Sequence, residues 1–243
     1  MIDFKLLALS LLVFPACREG GGGNGAKPPS EDRWAALREK MVKEQIETRG
    51  VRDEKTLRAM RRVPRHLFVP EAARPAAYED SPLPIGQDQT ISQPFIVAYM
   101  TAALGLKGGE KILEIGTGSG YQAAILAEIA AEVYTIEIVP SLAASAAERL
   151  AALGYRNVRV RAGDGYRGWP EAAPFDGILV TAAPDHIPQP LIDELKPGAR
   201  IVIPVGVSSQ ELRVLSKRAD GSLVEERTMP VRFVPMTGEA EER

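Results

Sequence analysis

A glycine-rich loop is the part of the sequence best suited to binding chemistry. Residues 114–120 read EIGTGSG, which places glycines at positions 116, 118 and 120. The loop follows an apolar run that predicts a strand and precedes an alanine-rich run that predicts a helix. In that context glycine lets the backbone turn sharply and lets a ligand approach the main chain closely. The loop therefore predicts a nucleotide-like binding site.

Three acidic residues lie at or just after the carboxyl ends of three successive predicted strands: Glu114, Glu137 and Asp164. The carboxyl ends of parallel strands open onto one crevice, so we expect these side chains to converge. Glu137 is placed to accept both hydroxyls of a ribose, and Asp164 to accept from an adenine amino group. Taken singly, the three are also explained by a helix-dipole carboxylate, an exposed strand end and an Asp-Gly turn. Together they favour a nucleoside site.

The loop also narrows the choice of cofactor. A dinucleotide fingerprint has the form GxGxxG, whereas position 121 here is tyrosine. The carboxylate of Glu114 would repel a pyrophosphate but favours a ligand that carries an ammonium group. The sequence therefore predicts S-adenosyl-L-methionine and disfavours a nicotinamide dehydrogenase.

Alternating strands and helices must position this site. The predicted helices cover residues 32–49, 54–62, 94–104, 120–130, 140–153 and 189–195. The predicted strands cover residues 111–115, 133–138, 158–162, 175–181, 200–204, 212–217, 223–227 and 231–234, and ordered loops cover 65–70 and 81–93. This alternation predicts an α/β fold with a doubly wound, mostly parallel sheet preceded by N-terminal helices.

Composition restricts the classes of partner. Hydrophobic residues make up 45% of the 243 positions, and 30 Lys and Arg against 32 Asp and Glu give a net charge of −2. Without a basic excess, we expect no nucleic-acid partner. The single cysteine excludes an internal disulfide, and with only His66 and His186 we expect no metal site. Neither histidine has an evident partner in the sequence, so both are interpreted as structural or surface residues.

The first thirty residues predict a leader and a tether, and residues 31–243 predict one catalytic domain. Lys5 precedes an apolar run, and Ala16 precedes Cys17, a layout that resembles a secretory or lipoprotein signal. A glycine-rich and proline-containing stretch follows, which is typical of a flexible tether. The apolar run is too short to span a bilayer as a helix. A start at Met41 with a leader that has no function is the alternative.

Residues from about 41 to 238 resemble the protein-L-isoaspartate O-methyltransferases. The similar segments are RHLFVP (65–70), LPIG and QTISQPFIVAYM (83–100), LEIGTGSGYQAAILA (113–127), GDGY (163–166), APFDGILVTAAP (173–184) and VRFVPMTG (231–238). The resemblance implies a class I methyltransferase fold and a cytoplasmic enzyme, with export or lipid anchoring through Cys17 as the alternative. It also implies a substrate: the α-carboxylate of isoaspartyl residues in damaged proteins, whose methyl ester leads back to normal aspartate.

The resemblance further implies the site residues. Ser92 falls on the active-site serine of the family, and we assign it to orienting the substrate carboxylate; its alternative is a helix N-cap. The residues that fall on cofactor-binding stretches are Thr90, Ile91, Glu114, Gly116, Gly118, Glu137, Asp164 and Gly165. Asp88 departs from the glycine usual in the family and is expected to add negative charge beside the substrate. A methyltransferase for another substrate and a non-catalytic binding module are the competing hypotheses.

Overall fold

The computed structural model describes residues 30–241. The helices are α1 (Glu31–Met41), α2 (Glu54–Arg62), α3 (Pro94–Leu104), α4 (Tyr121–Ala127), α5 (Pro140–Ala152) and α6 (Gln189–Glu194). The strands are β1 (Leu83–Gly86), β2 (Gln89–Ile91), β3 (Lys111–Ile115), β4 (Glu132–Glu137), β5 (Val158–Ala162), β6 (Phe175–Val180), β7 (Leu195–Val205), β8 (Gln210–Lys217) and β9 (Leu223–Val231). The predicted leader and tether, Cys17 included, lie outside the described residues, so that domain boundary stays a prediction.

A seven-stranded mixed sheet organises the fold, in the order β5-β4-β3-β6-β7-β8-β9. The strands from β5 to β7 pair in parallel, whereas β8 and β9 pair antiparallel as a hairpin at one edge. The chain runs outward from β3 to β5 and then returns to the other side of β3. This reversal opens a crevice at the carboxyl end of β3, where open α/β sheets bind ligands. The predicted fold class is confirmed.

Alternate residues of β3 face two different cores. Ile112 packs with the N-terminal helices and α3, while Leu113 and Ile115 pack on the opposite face with Phe175. All four side chains are buried. Because both faces of the strand are covered, it reads as an almost continuous apolar run, the pattern of a central parallel strand.

The N-terminal helix differs from the single helix predicted for residues 32–49. After α1 the chain widens into a π turn, Val42–Ile46, and then tightens into a 3-10 turn, Glu47–Arg49. Gly50 ends it with a left-handed φ of 93°. A single-turn π insertion rotates the side chains that follow, and Val42 and Ile46 are both fully buried.

Two further predictions are wrong. Residues 81–93 are not a loop, because β1 and β2 pair antiparallel across the turn formed by Gln87 and Asp88, which both have a φ of 55°. Pro82 and Pro84 alternate with the apolar residues of β1, and because proline is unusual in strands, the alternating pattern was interpreted as a loop. Residues 231–234 do not form a strand of their own, since β9 ends at Val231 and only Pro235 bridges onward, to Ala183. Within residues 30–241 no helix is long and apolar enough to cross a membrane.

Candidate active site

The glycine loop lies at the carboxyl end of β3, and its backbone requires glycine. Gly116, Gly118 and Gly120 have φ angles of 92°, 50° and 86°, in the left-handed region that favours this residue. A Cβ on Gly116 would overlap Oγ1 of Thr181. That hydroxyl is itself fixed, because it donates to the carbonyls of Ile115 and Gly116 at 3.0 and 2.7 Å. The loop therefore has a rigid wall behind it.

A cavity opens beside this loop, and we call it the loop cavity. Five of the predicted cofactor residues line it: Thr90, Gly116, Gly118, Glu137 and Gly165. Its other walls are the end of β4, the residues after β6 and residues 234–237. The convergence predicted from separate strand ends is therefore present for Glu137 and the glycine loop.

Glu137 is the only acid among the residues that line this cavity, and it is almost fully buried. Its Oε2 accepts from the Gly118 N–H at 2.7 Å, and its Oε1 accepts from the Val139 N–H at 3.0 Å. Backbone donors stabilise a carboxylate in its charged form. Glu137 is thus both an acceptor facing the cavity and a clamp on the glycine loop.

Glu114 has a different environment from the one expected. It is 0% exposed, does not line the loop cavity, and neither carboxylate oxygen makes a hydrogen bond in the described structure. Burial away from water raises the pKa of Glu114 from its usual 4.5 to about 8; the charge of Glu137 adds to this effect and the hydroxyl of Thr135 opposes it. A direct contact between Glu114 and a cofactor stays a prediction.

The raised pKa of Glu114 makes stability depend on pH. The unfolded chain ionises this carboxyl above about pH 4.5, whereas the folded chain holds it neutral up to about pH 8. The contribution of Glu114 to the free energy of unfolding is therefore fully present below about pH 4.5 and is lost as the pH rises to about 8. Glutamine cannot ionise, so we expect the Tm of Glu114→Gln minus that of the wild type to increase as the pH rises from 5 to 8.5. Thermal unfolding without cofactor checks this, and a difference that is constant with pH would contradict it.

Asp164 and Ile91 are not among the residues that line the loop cavity. Asp164 accepts from the backbone N–H of Tyr166 and of Glu239, both at 2.9 Å, so it ties the C-terminal turn to the end of β5. Ile91 is buried in the core at the end of β2. Their contacts with a cofactor stay predictions.

A second cavity, the Ser92 cavity, adjoins the first and has a volume of about 720 Å³. Four residues line both cavities: Thr90, Thr181, Val234 and Pro235. Ser92 and the glycine loop therefore line two adjoining cavities that share one wall, although they are separated in the sequence.

Ser92 is not the helix cap that the sequence offered as an alternative. Helix α3 begins at Pro94 with Gln93 in the N-cap position, and no side chain caps it. Ser92 is half-buried and lines its cavity. Asp88 lies at the exposed tip of the β1–β2 hairpin and lines neither cavity, so its expected effect on the substrate stays a prediction.

Sequence reasoning missed two charged residues of the Ser92 cavity. Arg49 and Arg232 line the Ser92 cavity and supply positive charge. The guanidinium of Arg49 lies 3.5 Å from the ring centroid of Phe95 and pairs with Asp80 at 2.7 Å. These contacts join segments far apart in the chain, and no local pattern in the sequence signals them.

The histidines were interpreted as structural or surface residues with no evident partner in the sequence, and in the structure both have partners. His66 stacks on Trp34 at 4.4 Å between ring centroids and bonds the Tyr78 hydroxyl at 2.8 Å. His186 bonds the hydroxyl of Tyr166 at 2.9 Å and also contacts Asp185. No group of three or more His, Cys, Asp or Glu side chains in the described part of the chain is arranged to hold a metal ion.

Comparison with known proteins decides the family. The family model for protein-L-isoaspartate(D-aspartate) O-methyltransferase (PCMT) matches residues 36–241. The chain belongs to this family. A protein-L-isoaspartate O-methyltransferase from Gloeobacter violaceus is 60% identical over 200 residues, 82% of this chain and 98% of that protein. Its counterpart from a Picosynechococcus species is 57% identical over 215 residues, 87% of this chain and 96% of that protein.

Solved structures agree with this methyltransferase assignment. A structure of a protein-L-isoaspartate O-methyltransferase superposes with a TM-score of 0.76 at 30% identity and covers 84% of this chain and 67% of that one. A Plasmodium falciparum protein described as a putative member, in complex with S-adenosyl-L-homocysteine, shares the fold with a TM-score of 0.70 at 23% identity, over 82% of this chain and 98% of that one. Membership of this family gives the chain protein-L-isoaspartate O-methyltransferase activity in protein repair, as the resemblance implied.

Proposed function

We propose that methyl transfer takes place where the two cavities meet, with the cofactor in the loop cavity and the isoaspartyl residue in the Ser92 cavity. The observation that carries this assignment is the shared wall of Thr90, Thr181, Val234 and Pro235. A direct transfer needs donor and acceptor held in contact, and adjoining cavities meet that need.

The residues of the loop cavity suit S-adenosyl-L-methionine. The glycine loop lets a ligand approach the main chain, and the Glu137 carboxylate is an acceptor for ribose hydroxyls. When bound, the cofactor supplies an electrophilic methyl group on a positively charged sulfur. The cavity measures only about 90 Å³, less than a drug-sized ligand occupies. We therefore infer that the walls formed by residues 234–237 and by Gln89 and Thr90 shift outward when the cofactor binds.

The Ser92 cavity suits an extended peptide that carries a carboxylate. The acceptor, the α-carboxylate of the isoaspartyl residue, is already ionised at neutral pH, so no catalytic base is required. Ser92 donates a hydrogen bond that orients this carboxylate, and Arg49 and Arg232 attract it into the cavity. The remaining work of the protein is alignment and exclusion of water.

A methyl-transfer assay with the full chain tests this function. We expect labelled methyl to pass from S-adenosyl-L-methionine to an isoaspartyl peptide as a base-labile ester, and not to the same peptide with normal aspartate. Ser92→Ala removes one hydrogen bond to a charged group, so kcat/KM should fall by roughly 10- to 100-fold. Binding of S-adenosyl-L-homocysteine should be unchanged, because Ser92 does not line the loop cavity.

Two results would count against the proposed site. Cofactor binding without transfer to the isoaspartyl peptide would favour another methyl acceptor or a non-catalytic binding module. Full activity in the Ser92→Ala variant would remove this residue from the reaction. A conservative check is Ser92→Thr, which keeps the hydroxyl and should retain more activity than the alanine variant.

We further propose the cytoplasm as the site of action, because the methyl donor is made there. The predicted lipid anchor at Cys17 is the competing hypothesis. Fractionation of cells that express the full chain or its Cys17→Ser variant distinguishes them. Both forms should stay in the cytosolic fraction, whereas a wild-type chain in the membrane fraction that Cys17→Ser releases would establish the anchor.

A further inference from the structure

A fully buried arginine lies under the segment that carries Thr90 and Ser92. Arg65 is 0% exposed and opens the 3-10 turn Arg65–Phe68. Buried arginines are usually paired with an anion, but the hydrogen bonds of Arg65 go to main-chain carbonyls, and its Nη1 makes no hydrogen bond in the described structure. A buried cation held in this way needs an explanation beyond ion pairing.

The two hydrogen bonds of Arg65 close the base of the β1–β2 hairpin. Its Nε donates to the carbonyl of Ala77, before the hairpin, at 2.8 Å. Its Nη2 donates to the carbonyl of Ser92, after the hairpin, also at 2.8 Å. One planar guanidinium therefore fixes both ends of the segment that lines the two cavities. A lysine has a single nitrogen and does not reproduce this geometry.

The same guanidinium also reaches the cofactor side of the site. Its Cζ lies 4.9 Å from the ring centroid of Tyr121, the first residue of α4 and the one directly after the glycine loop. The ring face attracts a cation strongly where water is excluded. Burial lowers the pKa of Arg65 to about 10, so the guanidinium stays charged at neutral pH.

We propose that Arg65 is a positioning residue that fixes the position of Ser92 relative to the glycine loop. It contacts neither cavity, so it acts through the Ser92 carbonyl. The proposal rests on the proposed role of Ser92. Without the two hydrogen bonds of Arg65, the hairpin keeps its own strand pairing, but Ser92 is free to shift. A displacement of about 1 Å costs on the order of 100-fold in rate.

The test compares Arg65→Met and Arg65→Lys in the full chain. We expect kcat/KM with an isoaspartyl peptide to fall in Arg65→Met by no more than in Ser92→Ala, roughly 10- to 100-fold, while the Kd for S-adenosyl-L-homocysteine stays within about threefold of wild type. Arg65→Lys should be little more active than Arg65→Met, because lysine keeps the charge but not both hydrogen bonds. Arg62→Met is the matched control: this arginine is exposed, pairs with Glu128 and lines neither cavity, so activity should not change.

A double-mutant cycle with Ser92→Ala separates positioning from a general structural role. If Arg65 acts through Ser92, Arg65→Met should cost little further activity once the hydroxyl is gone. Additive losses, full rescue by lysine, or equally weakened cofactor binding would overturn the proposal. If Arg65→Met does not fold, Arg65→Lys carries the same cycle. An inactive wild type would instead count against the proposed function.

Discussion

Replacing Glu137 by alanine is expected to weaken the binding of S-adenosyl-L-homocysteine by about 100-fold. The change removes the acceptor proposed for the ribose and also the clamp on the glycine loop, whose Gly118 N–H donates to Glu137 at 2.7 Å. A hydrogen bond to a charged group contributes about 1.5–3 kcal/mol, and 1.4 kcal/mol corresponds to a factor of ten in Kd. Isothermal titration calorimetry measures the effect directly.

The opposite end of the same strand supplies the control. Glu132 begins β4 and pairs with Arg159 at 3.2 Å near the surface, far from the carboxyl end where the glycine loop lies. Glu132→Ala should leave the Kd unchanged. Glu137→Gln should fall between wild type and alanine, because an amide oxygen still accepts one hydrogen bond without the charge. Unchanged binding in Glu137→Ala would remove this residue from the site.

Replacing Gly116 by alanine should impair both stability and cofactor binding. The residue has a φ of 92°, and an added Cβ would overlap Oγ1 of Thr181. Left-handed backbone costs a non-glycine residue about 1–2 kcal/mol, and an overlap in a packed site adds about 1–3 kcal/mol. We therefore expect a loss of several kcal/mol in the free energy of unfolding, measured with urea, and a Kd raised by more than about tenfold.

Two comparison variants separate strain from overlap. Gly109 has a similar φ of 95° but nothing within 4 Å of an added Cβ, so Gly109→Ala should show the backbone cost alone. Thr181→Ala removes the overlapping hydroxyl and should recover part of the stability lost in Gly116→Ala. Equal losses in the two glycine variants would contradict the overlap.

Predictions from the sequence succeeded where residues adjacent in the chain do the work. The glycine loop between β3 and α4, and the helix predicted over residues 54–62 and observed as α2, both depend on a few consecutive residues. The β1–β2 hairpin was missed because its prolines and polar turn are typical of a loop. The length of the first helix was misjudged because the π turn after Met41 is favoured by burial rather than by local preference.

The sequence by itself determined the fold class, the family and the strand ends on which the site residues lie, because these depend on periodicity and on short motifs. Only the tertiary structure decided which of those residues meet. It placed Ser92 and the glycine loop in two cavities that share a wall. It also buried the Glu114 carboxyl away from water and from hydrogen-bond partners, and it placed Arg65 within hydrogen-bond distance of the Ser92 carbonyl. These relations depend on which face of a strand is covered and on contacts between distant segments, and packing of the whole chain sets both.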